Sequence, residues 1–140
     1  MSESLLMDTR RTISKQLLKL RDSGIQVAID GFGTGYSSLS FIKKFAIDYI
    51  KIDQSFVRNL DSQAGDLPLC EAIIAMAHKL NIKVIAEGIE TEQQRRILSV
   101  AGCDYGQGFL FSRPLPVYDF GSLLVHNHLK QNTVNAGYAL

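Results

Sequence analysis

The sequence predicts an α/β fold of parallel βα repeats, and three observations lead there. Short runs rich in Ile and Val alternate with segments whose apolar residues recur at helical spacing. The runs are apolar on consecutive positions, as for strands covered on both faces. Two of them also follow one spacing, Gly24 to Asp30 and Asn81 to Glu87, so a single unit is being reused. Alternation of this kind joins parallel strands through right-handed helical crossovers.

Taken in order, residues 8–23 place Ile13, Leu17 and Leu20 at helical spacing, and Gly24 offers a left-handed stop. "IQVAI" is the first strand and Asp30 follows it. "SSLSFIKKF", residues 37–45, predicts a short helix capped by Ser37. "YIKID" is the second strand, ending in Asp53. Asp66 and Pro68 open the helix "LPLCEAIIAMAHKL", which Asn81 stops. "IKVIAE" is the third strand, ending in Glu87. Thr91 and Gln94 make a capping-box pattern for "TEQQRRILSVA", and Gly102 closes that helix. "YGQGFLF" is a weaker fourth strand holding Gln107, and a last helix over 117–128 packs Phe120, Leu123 and Leu124. One domain over 1–128 is expected, followed by a polar frayed tail over 129–140.

Composition narrows the function. Apolar content of 46% and charged content of 21% over 140 residues fit a globular chain with a real core. A net charge of +1 gives no basic field for a nucleic-acid polymer. No apolar stretch reaches membrane-spanning length, and the N-terminal residues lack the order of a signal peptide. Cys70 and Cys103 show no metal-type spacing and read as ordinary thiols, which predicts a cytoplasmic location. His126 and His128 are two apart, so they do not share a helix face as a metal pair would. His78 reads as a boundary residue.

Each predicted strand delivers a polar group at its carboxyl end: Asp30, Asp53, Glu87 and Gln107. That edge is where α/β barrels and open α/β sheets alike build their sites. Alternation sends Lys51 and Asp53 to one side of "YIKID", beside Asp30 and Glu87 in a barrel. Carboxylates gathered in this way repel one another unless cations offset them. Lys51 is one such cation. A divalent ion is the natural second, and oxygen donors suit Mg²⁺ or Mn²⁺ and phosphoryl chemistry. An internal salt bridge of Lys51 with an acid, without catalysis, explains the same residues equally well. The "GFGTG" loop lacks a Walker lysine and departs from the dinucleotide fingerprint, so a turn needing positive φ accounts for it as well as a phosphate cradle does.

The segments "AIDGFGTGYSSLSFIKKFAIDYIKID", "VIAEGIET" and "CDYGQGFLFSRPLP" together resemble the second half of an EAL domain. Such domains are bacterial phosphodiesterases that linearise cyclic di-GMP to pGpG. The resemblance runs from Glu3 to Phe120 and implies a TIM-type (β/α)8 barrel with Mg²⁺ or Mn²⁺ and a water attacking a phosphodiester. It implies Asp30 as a metal ligand and Glu3, in "SES", as another. Lys51 and Glu87 match the catalytic lysine and the metal-centre glutamate, and Asp53 and Gln107 match substrate-side positions. Glu90 matches the glutamate that orders the loop of Gly33, Thr34, Gly35 and Tyr36, through which the family dimerises.

Two departures shape the expectation. The family motif carries two adjacent acids where this chain has Asp30 and then Gly31, which removes a ligand for a second metal. A TIM-type barrel takes about 250 residues, so the resemblance implies the C-terminal half of one. The expected function is therefore a partial EAL-type domain of cyclic di-GMP signalling, impaired in hydrolysis by itself. The alternative is a non-catalytic module that binds the nucleotide or another protein. A homo-oligomer and an upstream sensory or GGDEF domain are the partners this reading implies.

Overall fold

The computed structural model describes residues 11–35, 42, 47–60 and 65–131. The predicted helix over 37–45 lies outside them apart from Ile42, as do Glu3 and Tyr36. The elements in order are α1 (Arg11–Asp22), β1 (Ala28–Phe32), β2 (Tyr49–Ile52), α2 (Gln54–Arg58), α3 (Leu67–Lys79), β3 (Lys83–Glu87), α4 (Glu92–Val100), β4 (Tyr105–Gln107) and α5 (Val117–Gln131). The four strands form one sheet in chain order, every neighbouring pair parallel. This is the α/β arrangement that the alternation predicts.

Three helices end in the same way. Gly24 (φ +78°), Asn81 (φ +57°) and Gly102 (φ +85°) each adopt the left-handed backbone. The next N–H in each case reaches back into the last helical turn: Ile25 to the Leu20 carbonyl, Ile82 to Ala77 and Cys103 to Leu98. At its other end α4 carries the predicted capping box, Thr91 accepting from the Gln94 N–H while Gln94 accepts from the Thr91 N–H.

Two of these stops lead directly into the contacts that set the sheet register. Val27 and Val84 lie three residues after Gly24 and Asn81, and their N–H groups donate to Asp48 (2.7 Å) and Asp104 (2.8 Å). Each aspartate stands one residue before the next strand along, β2 or β4. The start of one strand is thereby tied to the lead-in of another by a charge-assisted bond. Asp104 also pairs with His78 Nε2 at 2.9 Å, so His78 is the polar anchor of α3 and not only a boundary residue.

The core lies on one face of the sheet. Ile29, Ile50, Ile52, Val84 and Ala86 are all buried there, joined by Val57 of α2, Ile74 and Ala77 of α3 and Leu98 of α4. The opposite face is only half-covered and carries Tyr49, Lys51, Ile85, Glu87 and Tyr105, so the strands alternate and are not buried on both sides. On that face Tyr49 and Tyr105 meet edge to face at 6.0 Å, and Lys83 Nζ donates to the Tyr105 hydroxyl at 3.1 Å.

Four expectations need correction. β1 begins at Ala28, so Asp30 sits inside it, and Ile25 and Gln26 form an exposed lead-in. Leu20 is exposed because only Leu17 of its stripe, among the described side chains, meets the core. Residues 54–58 form a helix that sequence reasoning missed, since five residues are too few to show a period. α5 runs to Gln131, past the expected 128, and Phe120 and Leu124 are exposed on it.

Asp48→Ala and Asp104→Ala should each lower stability by about 1–3 kcal/mol, because each strands a partly buried N–H that has lost a charged acceptor. The Asn variants keep an acceptor oxygen and should recover much of the loss. Urea midpoints of the two pairs would measure this, and equal losses for Ala and Asn would contradict it. Gly108→Ala should be worse than Gly102→Ala. A Cβ at Gly108 would lie 2.1 Å from the Ile89 carbonyl oxygen, whereas nothing lies within 4 Å of one at Gly102, where only φ opposes it.

Candidate functional site

The parallel register carries β1, β2 and β3 so that their carboxyl ends meet. Ile29 pairs with Ile50, Lys51 with Ile85 and Glu87 with Gln107. Lys51, on the middle strand of the three, therefore projects between the strands that hold Asp30 and Glu87. Its Nζ lies 3.7 Å from Asp30 Oδ1 and forms a closer ion pair with Glu87 Oε1. Lys51 and Glu87 are each 20% exposed and Asp30 51%, so the Glu87 half of this triad is the better shielded from water. Three of the sequence-predicted residues are thus brought together. Lys51 forms ion pairs with both acids.

Asp53 has a different task. It caps α2, its Oδ1 accepting from the Ser55 N–H at 2.9 Å. Hydrogen bonds from the Ser55 side chain and backbone hold its pKa below the usual 3.8, and Arg58 adds to the effect. Asp53 still lines a cavity of about 310 Å³ with Glu87, Gly88, Glu90 and Gln107. Gln54, Arg58, Gly108 and Phe109 complete its wall, and sequence reasoning missed all four. Gln54 and Arg58 belong to the overlooked helix α2.

The glycine loop resolves into a bulge and a turn. The β1–β2 register shifts between Ile29 and Phe32, and Gly31 there has φ +69°. Where the resemblance marks a lost acid, the backbone takes a left-handed form that glycine adopts freely. Thr34 closes the turn, its hydroxyl donating to the Gly31 carbonyl at 2.9 Å. Gly33 is required by space as well, because a Cβ there would meet the Phe56 ring at 2.7 Å. Gly35 ends the described part of the loop. Glu90 is exposed and faces the cavity, and its N–H donates to Gln94 Oε1 at 2.9 Å.

The donor set does not by itself fit a metal ion. Among the described residues no three His, Cys, Asp or Glu side chains gather closely enough to hold one. Asp30 and Glu87 are only two carboxylates, both engaged by the Lys51 ammonium, whereas Mg²⁺ or Mn²⁺ takes about six oxygen ligands. The thiols offer no nucleophile. Burial pushes Cys70 to about 11 and Cys103 to about 12. No helix among the described residues is long and apolar enough to cross a membrane.

The Asp53 cap has a pH signature. Because its folded pKa lies below the unfolded 3.8, the stability it adds is fully present above that value. It is lost as pH falls through the folded value. Asp53→Asn keeps a capping oxygen and should flatten this part of an acid-unfolding curve, while Asp53→Ala should cost about 1 kcal/mol at neutral pH. Identical acid curves for wild type and Asn would refute the assignment. Gly31→Asp should destabilise by about 1 kcal/mol, since aspartate tolerates left-handed backbone better than most residues. It should not create tight Mn²⁺ binding in this chain, as isothermal titration would show.

Comparison with known proteins agrees with this geometry. The EAL domain family pattern matches residues 1–114. The cyclic di-GMP phosphodiesterase NbdA of Pseudomonas aeruginosa is 44% identical over 115 residues, which is 82% of this chain and 15% of NbdA. The EAL domain of Mycobacterium smegmatis DcpA superposes with a TM-score of 0.82 at 43% identity, covering 89% of this chain and 56% of that one. Klebsiella pneumoniae BlrP1, in complex with manganese and cyclic di-GMP, gives a TM-score of 0.73 at 36% identity, covering 81% of this chain and 29% of BlrP1. The chain thus spans about half of a solved EAL domain and a much smaller share of its curated relatives. With four parallel strands in barrel order and the motif residues at their carboxyl ends, it belongs to the EAL domain family and is a partial (β/α) barrel of that type.

Proposed function

We propose that the chain supplies the carboxyl-terminal half of a cyclic di-GMP site, one that in a completed barrel hydrolyses the cyclic dinucleotide to linear pGpG. The observation that carries this reading is Lys51, held between Asp30 and Glu87 at the strand ends, with Glu87 also walling the cavity. A phosphodiester is an anion, and Lys51 is the cation set at that edge. Its two carboxylate partners hold Nζ in place, and a phosphate oxygen can replace one of them. Glu87 is then placed to accept a hydrogen bond from the attacking water, and Gln107 and Asp53 to hold the nucleotide beside it.

Mg²⁺ or Mn²⁺ would supply phosphate polarisation and an activated water in such a site. Asp30 and Glu87 are the described donors for it, and Glu3 is the further ligand the resemblance offers. Two donors do not hold such an ion, so each role is assigned to side chains of the chain itself. Nucleotide binding without turnover is the second reading, favoured by the small donor set and by glycine at position 31. Two free buried thiols suit a cytoplasmic setting. The stretch Gly33, Thr34, Gly35 and Tyr36, with Glu90 as the residue the resemblance assigns to order it, is our candidate for the dimer loop.

The purified chain, given Mn²⁺ and cyclic di-GMP, should form pGpG far more slowly than a complete EAL domain does. Chromatography of the products would read this, and comparable rates would overturn the view that the site needs further donors. Lys51→Met should weaken cyclic di-GMP binding about tenfold or more. Among the described strands β1 and β4 are sheet edges with unpaired backbone groups. Association into dimers or larger species is therefore expected in light scattering across a concentration series. A monomer with a sharp cooperative melt would argue that these edges are covered from within the chain.

A further inference from the structure

We propose that the partner for the open edges of this sheet is a second copy of the chain. β4 of each copy pairs with β1 of the other, so that two four-stranded halves close one eight-stranded barrel. The inference goes beyond the functional reading and does not depend on what the site binds. A two-fold axis along the strands keeps all of them parallel and makes both joints from the same two edges.

The joint has a template inside the chain. Where β3 enters beside β2, Asn81 supplies the left-handed stop, and the Lys83 N–H, two residues on, donates to the Asp48 carbonyl at 3.1 Å. β1 enters in the same way, with Gly24 as the stop and Gln26 two residues on. β4 in turn repeats β2, since Asp104 and Tyr105 lead into it as Asp48 and Tyr49 lead into β2. A second copy's β1 therefore carries the entry device of an incoming strand, and β4 carries the lead-in that receives one. Position for position, the Gln26 N–H of one copy meets the Asp104 carbonyl of the other.

The flanks of the two edges agree with this. Helices α3 and α4, between the edges in chain order, expose one large apolar side chain each, Leu69 and Val100. By contrast, α1 and the lead-in to β1 expose Leu18, Leu20 and Ile25, and α5 exposes Val117, Phe120 and Leu124. The three on α5 are three and four residues apart and make one stripe. At roughly 100 Å² for each side chain, these flanks leave about 600 Å² of apolar surface on each copy. Two copies then bury about 1,200 Å² before the strand edges are added, which reaches the range of specific interfaces. Closure also turns the half-covered face inward over Tyr49, Ile85 and Tyr105. It brings the Lys51–Glu87 pairs of both copies to a single mouth.

The test is sedimentation equilibrium of the whole 140-residue chain and of two variants, Ile25→Glu on the β1 flank and Leu124→Glu on the β4 flank. Wild type should hold at a dimer mass across a concentration series, because two joints close the ring. Each variant should weaken the dimer by about tenfold or more, since each puts a charge into both joints. An equal mixture of the two should recover dimers. One joint then carries neither charge, and the other, already open, loses nothing more. In the dimer the Gln26 amide should exchange about tenfold more slowly, or slower still, than in Leu124→Glu. Both positions are exposed, so circular dichroism should show the variants folded. A wild-type monomer, or a mass that climbs without a plateau, would overturn the closed pair. So would a dimer that only one variant weakens, or a mixture without rescue, because each points to a contact other than β4 with β1.

Discussion

Strand register is the constraint on which the rest of this structure depends. Slipping β2 by one residue would turn Lys51 into the core and bring Ile52 to the open face. The ion triad would vanish together with the best-buried part of the core. Both depend on one alignment, and that alignment is fixed at the end of the sheet opposite to the chemistry. Asp48 and Asp104 hold the lead-in of β1 and the first residues of β3 through the Val27 and Val84 N–H groups. The left-handed residues Gly24 and Asn81 precede those strand starts by three residues. A short carboxylate suits this work because it bonds a backbone donor strongly and requires no partner on the other strand's side chains.

Much of this was legible in the sequence, for physical reasons. Glycine and asparagine after helical runs mark left-handed stops because other residues are strained there, and the stops after α1, α3 and α4 lie where the sequence placed them. The capping box at Thr91 was equally readable, since its two side chains bond only at that spacing. The shared interval from stop to strand end pointed to a reused unit. The aspartates that lock it went unread, although the repeat contains their signal. Asp48-Tyr49 and Asp104-Tyr105 are the same dipeptide, each introducing a strand that follows one pinned at Val27 or Val84.

The remainder was hidden by length and by context. Helix α2 spans five residues, less than two turns, so no apolar stripe announces it. With α2 unread, Asp53 looked like a simple strand-end acid, and Gln54 and Arg58 stayed concealed entirely. "IQVAI" looked like a strand because its side chains are branched and apolar, yet Ile25 is exposed. The nearby Val27 N–H is spoken for by Asp48, and pairing with β2 begins only at Ala28. α5 carries an apolar pattern of which Leu123 is half-buried while Phe120, Leu124 and Val125 stay exposed, and pattern alone cannot tell a face that packs from one that does not.

The two ends of the sheet therefore separate stability from chemistry. At the lead-in end, carboxylates bind backbone donors, which are fixed, neutral and part of the fold. At the carboxyl end, carboxylates bind a lysine ammonium, which is mobile and charged and can exchange one oxygen partner for another. An Asp-to-backbone bond has nothing to gain from a phosphate. The Asp30–Lys51–Glu87 triad does, because one ammonium between two carboxylates is short of positive charge. An anion entering there must displace a carboxylate or bring cations with it. A site of the proposed kind needs more positive charge than this triad carries, and a divalent ion would supply it. Gly31 acts on the same balance, since it withholds one more negative group from an edge that already has an excess. A chain with this edge is electrostatically closer to receiving an anion than one with the second acid, and further from holding a pair of metals.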